Sequence, residues 1–243
     1  MLKHNDFGEA DRLLHLYTLQ RGKVRALAKG VRKVQSRKAG HLEPFTRVQL
    51  QLAAGRNFYI VTQAEAGDMY PALRDDLERL GNASYVVELV DGFTYDEEEN
   101  PAIFRLLTRT LTRLGEGTDP QLVLRHFELQ LLDLLGFRPE LHKCVERGEE
   151  IQPEDQYFSA SQGGVLCPNC GRGKPGARPV SVDALKYLRH IQRSDFQEAA
   201  RAKIPPGTHR EIEVLMQHYV THLLERALNS PDFLRRVRKE SLG

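Results

Sequence analysis

The chain changes its apolar period near residue 70. In Thr46-Arg47-Val48-Gln49-Leu50-Gln51-Leu52, apolar and polar residues alternate, which puts Val48, Leu50 and Leu52 on one face of a half-buried strand. Ala54-Gly55-Arg56-Asn57 supplies a turn. Phe58-Tyr59-Ile60-Val61-Thr62 is rich in β-formers, so the two runs predict a hairpin. Residues 13–19 predict another strand, which turns at Gln20-Arg21-Gly22 and is paired by residues 23–29. Several short strands with glycine turns and no long helical period predict a small barrel.

Helical spacing begins near Pro71. Asn100-Pro101 offers an N-cap and a first-turn proline, followed by Ile103, Phe104, Leu107, Leu111 and Leu114 before Gly115. Asp119-Pro120 repeats the device ahead of Leu124, Phe127, Leu131, Leu134 and Leu135, an apolar face ending at Gly136. Residues 73–93 predict a third helix, weakened by Gly81. Residues 137–180 break the period and hold all three cysteines. Helices resume after Ser181, a predicted N-cap. There Leu185, Leu188 and Ile191 lie beside Lys186, Arg189 and Arg193 on one amphipathic helix, a groove-and-rim arrangement suited to an acidic, apolar tail. The competing reading makes these leucines core. Thr208-His209-Arg210-Glu211 reads as a capping box. Ile212, Leu215, Met216, Tyr219 and Leu223 form the buried stripe of that helix, which is expected to stop by Asn229-Ser230-Pro231. An exposed final turn or tail with Arg235, Arg236, Arg238 and Lys239 would follow.

Composition narrows the class. Of 243 residues, 40% are hydrophobic, enough for a sizeable core. No apolar run approaches the roughly 18 residues that span a bilayer, and residues 1–6 lack a signal-peptide core. Three cysteines do not make a disulfide framework, so the expectation is a soluble, cytoplasmic protein. The net charge of +2 is strongly segregated: +7 over residues 1–66, −11 over 67–160 and +6 over 161–243. Basic ends around an acidic middle point to a polyanionic partner.

The basic candidates are Lys23, Arg25, Lys29, Arg32, Lys33, Arg37 and Lys38. In strand geometry Lys23, Arg25 and Lys29 share one face, while Val24, Ala26 and Ala28 share the other. Such a cationic stripe, with a flexible basic loop at Gly30 and residues 35–40, suits a phosphate backbone. Tyr17, Phe45, Phe58 and Tyr59 are candidate base-stacking platforms, each with core packing as the alternative. A merely solvated basic face is the competing reading of the run.

Cys167-Pro168-Asn169-Cys170-Gly171 is a metal knuckle by its spacing, and 22 residues separate Cys144 from it upstream. A four-cysteine ribbon would place its remaining thiol at position 147, which is Arg147. The nearest alternative fourth ligand is His142, with Glu146 or water next. The run Asp96-Glu97-Glu98-Glu99 reads as an exposed loop rather than a magnesium site, and His218 and His222 as structural. No phosphate-binding glycine loop, dinucleotide fingerprint or nucleophile elbow is present, so neither ATP hydrolysis nor any other catalysis is expected.

Phe7-Gly8-Glu9-Ala10-Asp11-Arg12-Leu13-Leu14, Thr18, Gly22-Lys23 and Ala28-Lys29-Gly30-Val31-Arg32-Lys33 together resemble the opening of the RecO family of bacterial recombination mediators. Ser36-Arg37, Leu42, Pro44-Phe45, Glu65, Leu134-Leu135-Gly136-Phe137-Arg138-Pro139 and Gly163-Gly164-Val165-Leu166-Cys167 continue the resemblance in order. It implies an α+β protein: an OB-type β-barrel (1–68), a helical domain in two parts (69–140 and 181–243), and a zinc-ribbon-like insert between them (141–180). It also implies binding of single- and double-stranded DNA, strand annealing and zinc. The implied partners are RecR, the C-terminal tail of the single-stranded-DNA-binding protein, RecF and, indirectly, RecA, in a cytoplasmic, nucleoid-associated setting. The family usually has a further strand before Leu2, so an incomplete barrel edge is expected. The main competing class is a zinc-ribbon RNA-binding factor of transcription or translation; a nuclease is the enzyme alternative.

Overall fold

The computed structural model describes residues 1–240, which form two compact units. The first opens with β1 (Lys3–Phe7), β2 (Asp11–Thr18), β3 (Gly22–Ala28), β4 (Val48–Ala53) and β5 (Tyr59–Ala66), then α1 (Leu77–Phe93) and α2 (Pro101–Gly115). The second unit, Asp119–Leu228, holds α3 (Pro120–Leu134), β6 (Gln156–Ser159), β7 (Gly164–Leu166), α4 (Pro168–Gly171) and β8 (Ala177–Val180). Its remaining helices are α5 (Val182–Arg193), α6 (Phe196–Ala199) and α7 (Pro206–Leu224). The chain then returns to the first unit with α8 (Ser230–Glu240).

The five strands run in the order β1-β2-β3-β5-β4, antiparallel except where β3 meets β5. The expected hairpin is β4 with β5, carrying a bulge between Gln51 and Leu52. Among the described residues no ladder joins β1 to β4, so the sheet is open. At its mouth the Met1 ammonium donates to the Thr46 carbonyl at 2.6 Å, and the Phe45 N–H to the Met1 carbonyl at 3.0 Å. Alternation puts Val24, Ala26 and Ala28 of β3 inward with Leu14, Leu16 and Val61. Val31 and Leu42, from the segment crossing between β3 and β4, complete the core. Each buried leucine there contributes about 1.5–3 kcal/mol.

Caps set the helix starts. Asn100 accepts from the Ile103 N–H, Asp119 from Gln121 and Ser181 from Ala184, each as expected. Gly81, read from sequence as a weakness of α1, is a contact requirement. A Cβ there would lie 2.6 Å from Leu234 Cδ2 of α8.

Three expectations are corrected. The residues after Pro231 are not a tail: Pro231 lies in the first turn of α8, where its missing N–H costs nothing, and Leu234 and Val237 are buried. The Thr208–Glu211 capping box does not form, because α7 already begins at Pro206 after the N-cap Pro205. The Glu211 carboxylate instead accepts from the N–H of Ser181 at 2.6 Å and its hydroxyl at 2.7 Å. In α3, Leu134 is 40% exposed, while Leu122 to Leu129 are buried all round. That helix is enclosed by neighbours rather than presenting a single stripe. Leu185, Leu188 and Ile191 of α5 are core.

Candidate nucleic-acid interface and metal centre

β3 places Lys23 and Arg25 on its outer face, as alternation requires. Gly22 starts the strand at φ +60°, and a Cβ there would lie 1.8 Å from the Glu98 carbonyl oxygen. Only glycine therefore admits the Asp96–Glu99 loop, whose Glu97 N–H donates to the Lys23 carbonyl at 2.7 Å. Beyond β3 the basic loop is pinned at its base. Asp11 accepts from the Gly30 N–H at 2.7 Å, the Arg32 N–H donates to Ala10, and Val31 is buried. At its tip Val34 is fully exposed.

The seven basic candidates fall into two groups. Lys23 is half-buried, with its ammonium 2.8 Å from the Asp91 carbonyl and 3.6 Å from its carboxylate. Arg25 pairs with Asp96 at 3.1 Å and Arg32 with Asp6 at 3.3 Å. The Lys38 ammonium donates to the Val61 carbonyl at 3.3 Å. Lys29, Lys33 and Arg37 are exposed and carry no ion pair among the described residues.

Of the aromatic candidates, Tyr17 and Phe45 are core, at 5% and 7% exposure. Phe58 and Tyr59 line an open cleft of about 420 Å³ with Arg25, Arg56, Asp96 and Glu97. Arg25 lies over Phe58 and Arg21 over Tyr59, each guanidinium carbon 5.6 Å from the ring centre. Arg21 also donates to the Tyr59 hydroxyl at 2.8 Å, which donates to Glu97 at 2.7 Å. Phe7 packs edge-on against Phe58. Sequence reasoning does not single out Arg21, Arg56 or Phe7. The first two flank turn glycines, a signal that marks a loop and not a cleft.

In the second unit, Cys144, Cys167 and Cys170 converge, their sulfurs all within 4.8 Å of one another. Burial opposes ionisation of Cys144, yet backbone N–H groups of Cys167, Arg147 and Glu146 donate to its sulfur and bring its pKa down to about 7. Burial and the two neighbouring sulfurs push the Cys170 thiol up to about 12. Three sulfurs this close repel once ionised, and a dication among them removes that penalty. The donor set therefore fits a thiophilic metal. Among the described residues neither His142 nor Glu146 joins the sulfurs, and His218 and His222 join no ligand cluster. His142 instead lines a separate cleft of about 420 Å³ with Pro153, Glu154, Val182, Leu185, Lys186, Arg189 and Arg193. Its floor is apolar, and three cations stand around it. No helix among the described residues is long and apolar enough to cross a membrane.

Two family models together match most of the chain. The family model described as Recombination protein O N terminal matches residues 1–70, and Recombination protein O C terminal matches residues 74–232. A protein named DNA repair protein RecO from Roseiflexus sp. (strain RS-1) is 43% identical over 239 residues, covering 98% of this chain and 84% of that protein. Proteins of the same name from Desulforudis audaxviator (strain MP104C) and Desulforamulus reducens are 39% and 34% identical. They cover 98% and 100% of this chain, and 94% of each relative. The chain belongs to the RecO family, with a role in DNA repair and recombination.

Proposed function

We propose that this chain is a recombination mediator that binds single- and double-stranded DNA, anneals complementary strands and helps a recombinase onto protein-coated single strands in the RecF-type pathway. One observation carries the reading: Lys29, Lys33 and Arg37, without an ion pair among the described residues, stand on a loop after β3, and an arginine-lined aromatic cleft lies beside that strand. The cations replace counterions along the phosphates, and Phe58 and Tyr59 offer ring faces to unstacked bases. Two strands repel through their phosphates, so a surface that screens both lowers the barrier to their encounter. The free energy comes from base pairing, with stacking of about 1.4 kcal/mol per step, and no nucleotide is consumed. The chain acts as a mediator and not as an enzyme. On α8, exposed Arg236 and Lys239 add a further cationic surface, beside Arg235, which pairs with Asp232.

The cleft of α5 suits the acidic, apolar C-terminal tail of the single-stranded-DNA-binding protein, its floor taking the apolar end and Lys186, Arg189 and Arg193 the carboxylates. RecR is the direct recombination partner, with RecF and RecA reached through it, in the nucleoid-associated cytoplasm. Zinc held by Cys144, Cys167 and Cys170 cross-links the Cys167–Gly171 knuckle to the segment around Cys144. The test is annealing of labelled oligonucleotides across a salt series, with and without a coating protein and ATP. Acceleration that falls steeply with salt and needs no ATP is expected. An ATP requirement, salt-insensitive acceleration or a preference for RNA overturns the reading. Reversing Lys29, Lys33 and Arg37 should lower the salt slope on single strands by about 0.7 for each phosphate no longer neutralised.

A further inference from the structure

The cysteine cluster is built from two turns closed by the same kind of hydrogen bond. In Cys167–Gly171 the Gly171 N–H donates to the Cys167 carbonyl at 2.9 Å. In residues 144–148 the Gly148 N–H donates to the Cys144 carbonyl at 2.7 Å. Each turn begins with a cysteine that supplies a sulfur and closes on a glycine four residues later. They differ at the residue before that glycine, Cys170 in one and Arg147 in the other. Arg147 therefore occupies the backbone position from which a second knuckle would deliver its second sulfur. Its N–H still donates to the Cys144 sulfur, so the turn keeps its metal-binding form. Its guanidinium goes elsewhere, to Glu149 at 3.5 Å, and a guanidinium stays protonated and cannot ligate.

The neighbouring donors are occupied. Glu146 is paired with Lys174, and Glu140 accepts from the N–H groups of His142 and Lys143. Among the described residues no histidine or carboxylate joins the three sulfurs. Cys167 and Cys170 are only partly buried, so solvent reaches this side of the cluster.

We infer that the metal centre of this chain is a three-thiolate site whose fourth position is filled from solution, by water that a small thiol can displace. This rests on the reading that the trio holds zinc. A zinc ion with four protein ligands is closed and purely structural, whereas three protein ligands leave an exchangeable place. On exchange the incoming thiol gives its proton to bulk solvent and binds as thiolate, water departs, and no oxidation state changes. The consequence is a zinc held less tightly than in a four-cysteine ribbon and open to exogenous ligands.

Cobalt(II) replaces zinc in the full-length chain under anaerobic conditions, and 2-mercaptoethanol or imidazole is added. The wild type should show sulfur-to-cobalt charge transfer for three thiolates. That intensity should rise by about one third as the thiol supplies a fourth, and imidazole should shift the d–d bands. Arg147→Cys should start at the four-thiolate intensity and respond to neither. It should also hold zinc more tightly against a chelator, by roughly tenfold or more, since a gained ligand is worth at least what outer partners carry. A wild-type spectrum that binds cobalt but ignores both additions overturns the open position and leaves the zinc reading standing. Failure to take up cobalt or zinc overturns both. The wild-type titration decides the matter even if the variant does not fold.

Discussion

Neutralising the acids that face the arginine–aromatic cleft should tighten DNA binding. The perturbation is Asp96→Asn with Glu97→Gln. Asp96 lies 3.1 Å from the Arg25 guanidinium, both side chains 47% exposed. Glu97 holds the Tyr59 hydroxyl that Arg21 also reaches. A phosphate arriving at Arg25 must compete with Asp96. An exposed pair of this kind is worth about 0.2–1 kcal/mol after solvent screening, so its loss costs the fold little. The same energy no longer has to be given up on binding. At about 1.4 kcal/mol per decade, relief at Arg25 alone gives roughly 1.5- to 5-fold tighter binding at low salt. Each cation newly available to a phosphate should also steepen the salt slope on single strands by about 0.7. Fluorescence anisotropy of a labelled single strand across a salt series measures both quantities, with a thermal melt as the check on folding. A well-folded variant that binds no better than wild type, with an unchanged slope, refutes the placement of DNA in this cleft.

Gly22→Ala should destabilise the first unit by about 2 kcal/mol or more, because the new Cβ meets the Glu98 carbonyl at a positive φ, and a urea melt reads the loss. Gly81→Ala should loosen α8 from α1 by about 1–3 kcal/mol, seen as earlier hydrogen exchange in residues 230–240. Glu88→Gln should cost about 1–2 kcal/mol at neutral pH, because Glu88 accepts from the N–H groups of Asn229 at 2.9 Å and Ser230 at 3.0 Å and from both side chains. Burial works to raise the Glu88 pKa, but these four hydrogen bonds outweigh it and hold it below the usual value. Its contribution is therefore full above the unfolded-state pKa and lost as pH falls through the folded one, so wild type and variant should converge in acid. An equal gap at neutral and acid pH in urea melts would refute the assignment.

The parts of this fold that could be read from sequence are those whose hydrogen bonds close locally. Asn100, Asp119 and Ser181 each satisfy an N–H two or three residues ahead, so the cap and the helix are visible together. The cysteine spacing is local in the same sense: Cys167 and Cys170 share one turn, and their convergence with Cys144 follows the ribbon order. What escaped was long-range acid. Glu211 serves Ser181, 30 positions away, so Thr208 and Glu211 imitate a capping box without forming one. Glu88 caps a helix more than 140 positions downstream, and without it Pro231 reads as a stop instead of a start. The same blindness inflated the basic face. Lys23, Arg25 and Arg32 belong to a cationic run in sequence, but Asp91, Asp96 and Asp6 reach them only after folding. A run of charge fixes the sign of a surface, while the fold decides how much of that charge a ligand meets. Lys29, Lys33 and Arg37, which carry no ion pair among the described residues, all follow β3, where the chain leaves the sheet and the acids of α1 and its following loop pair with Lys23 and Arg25 instead.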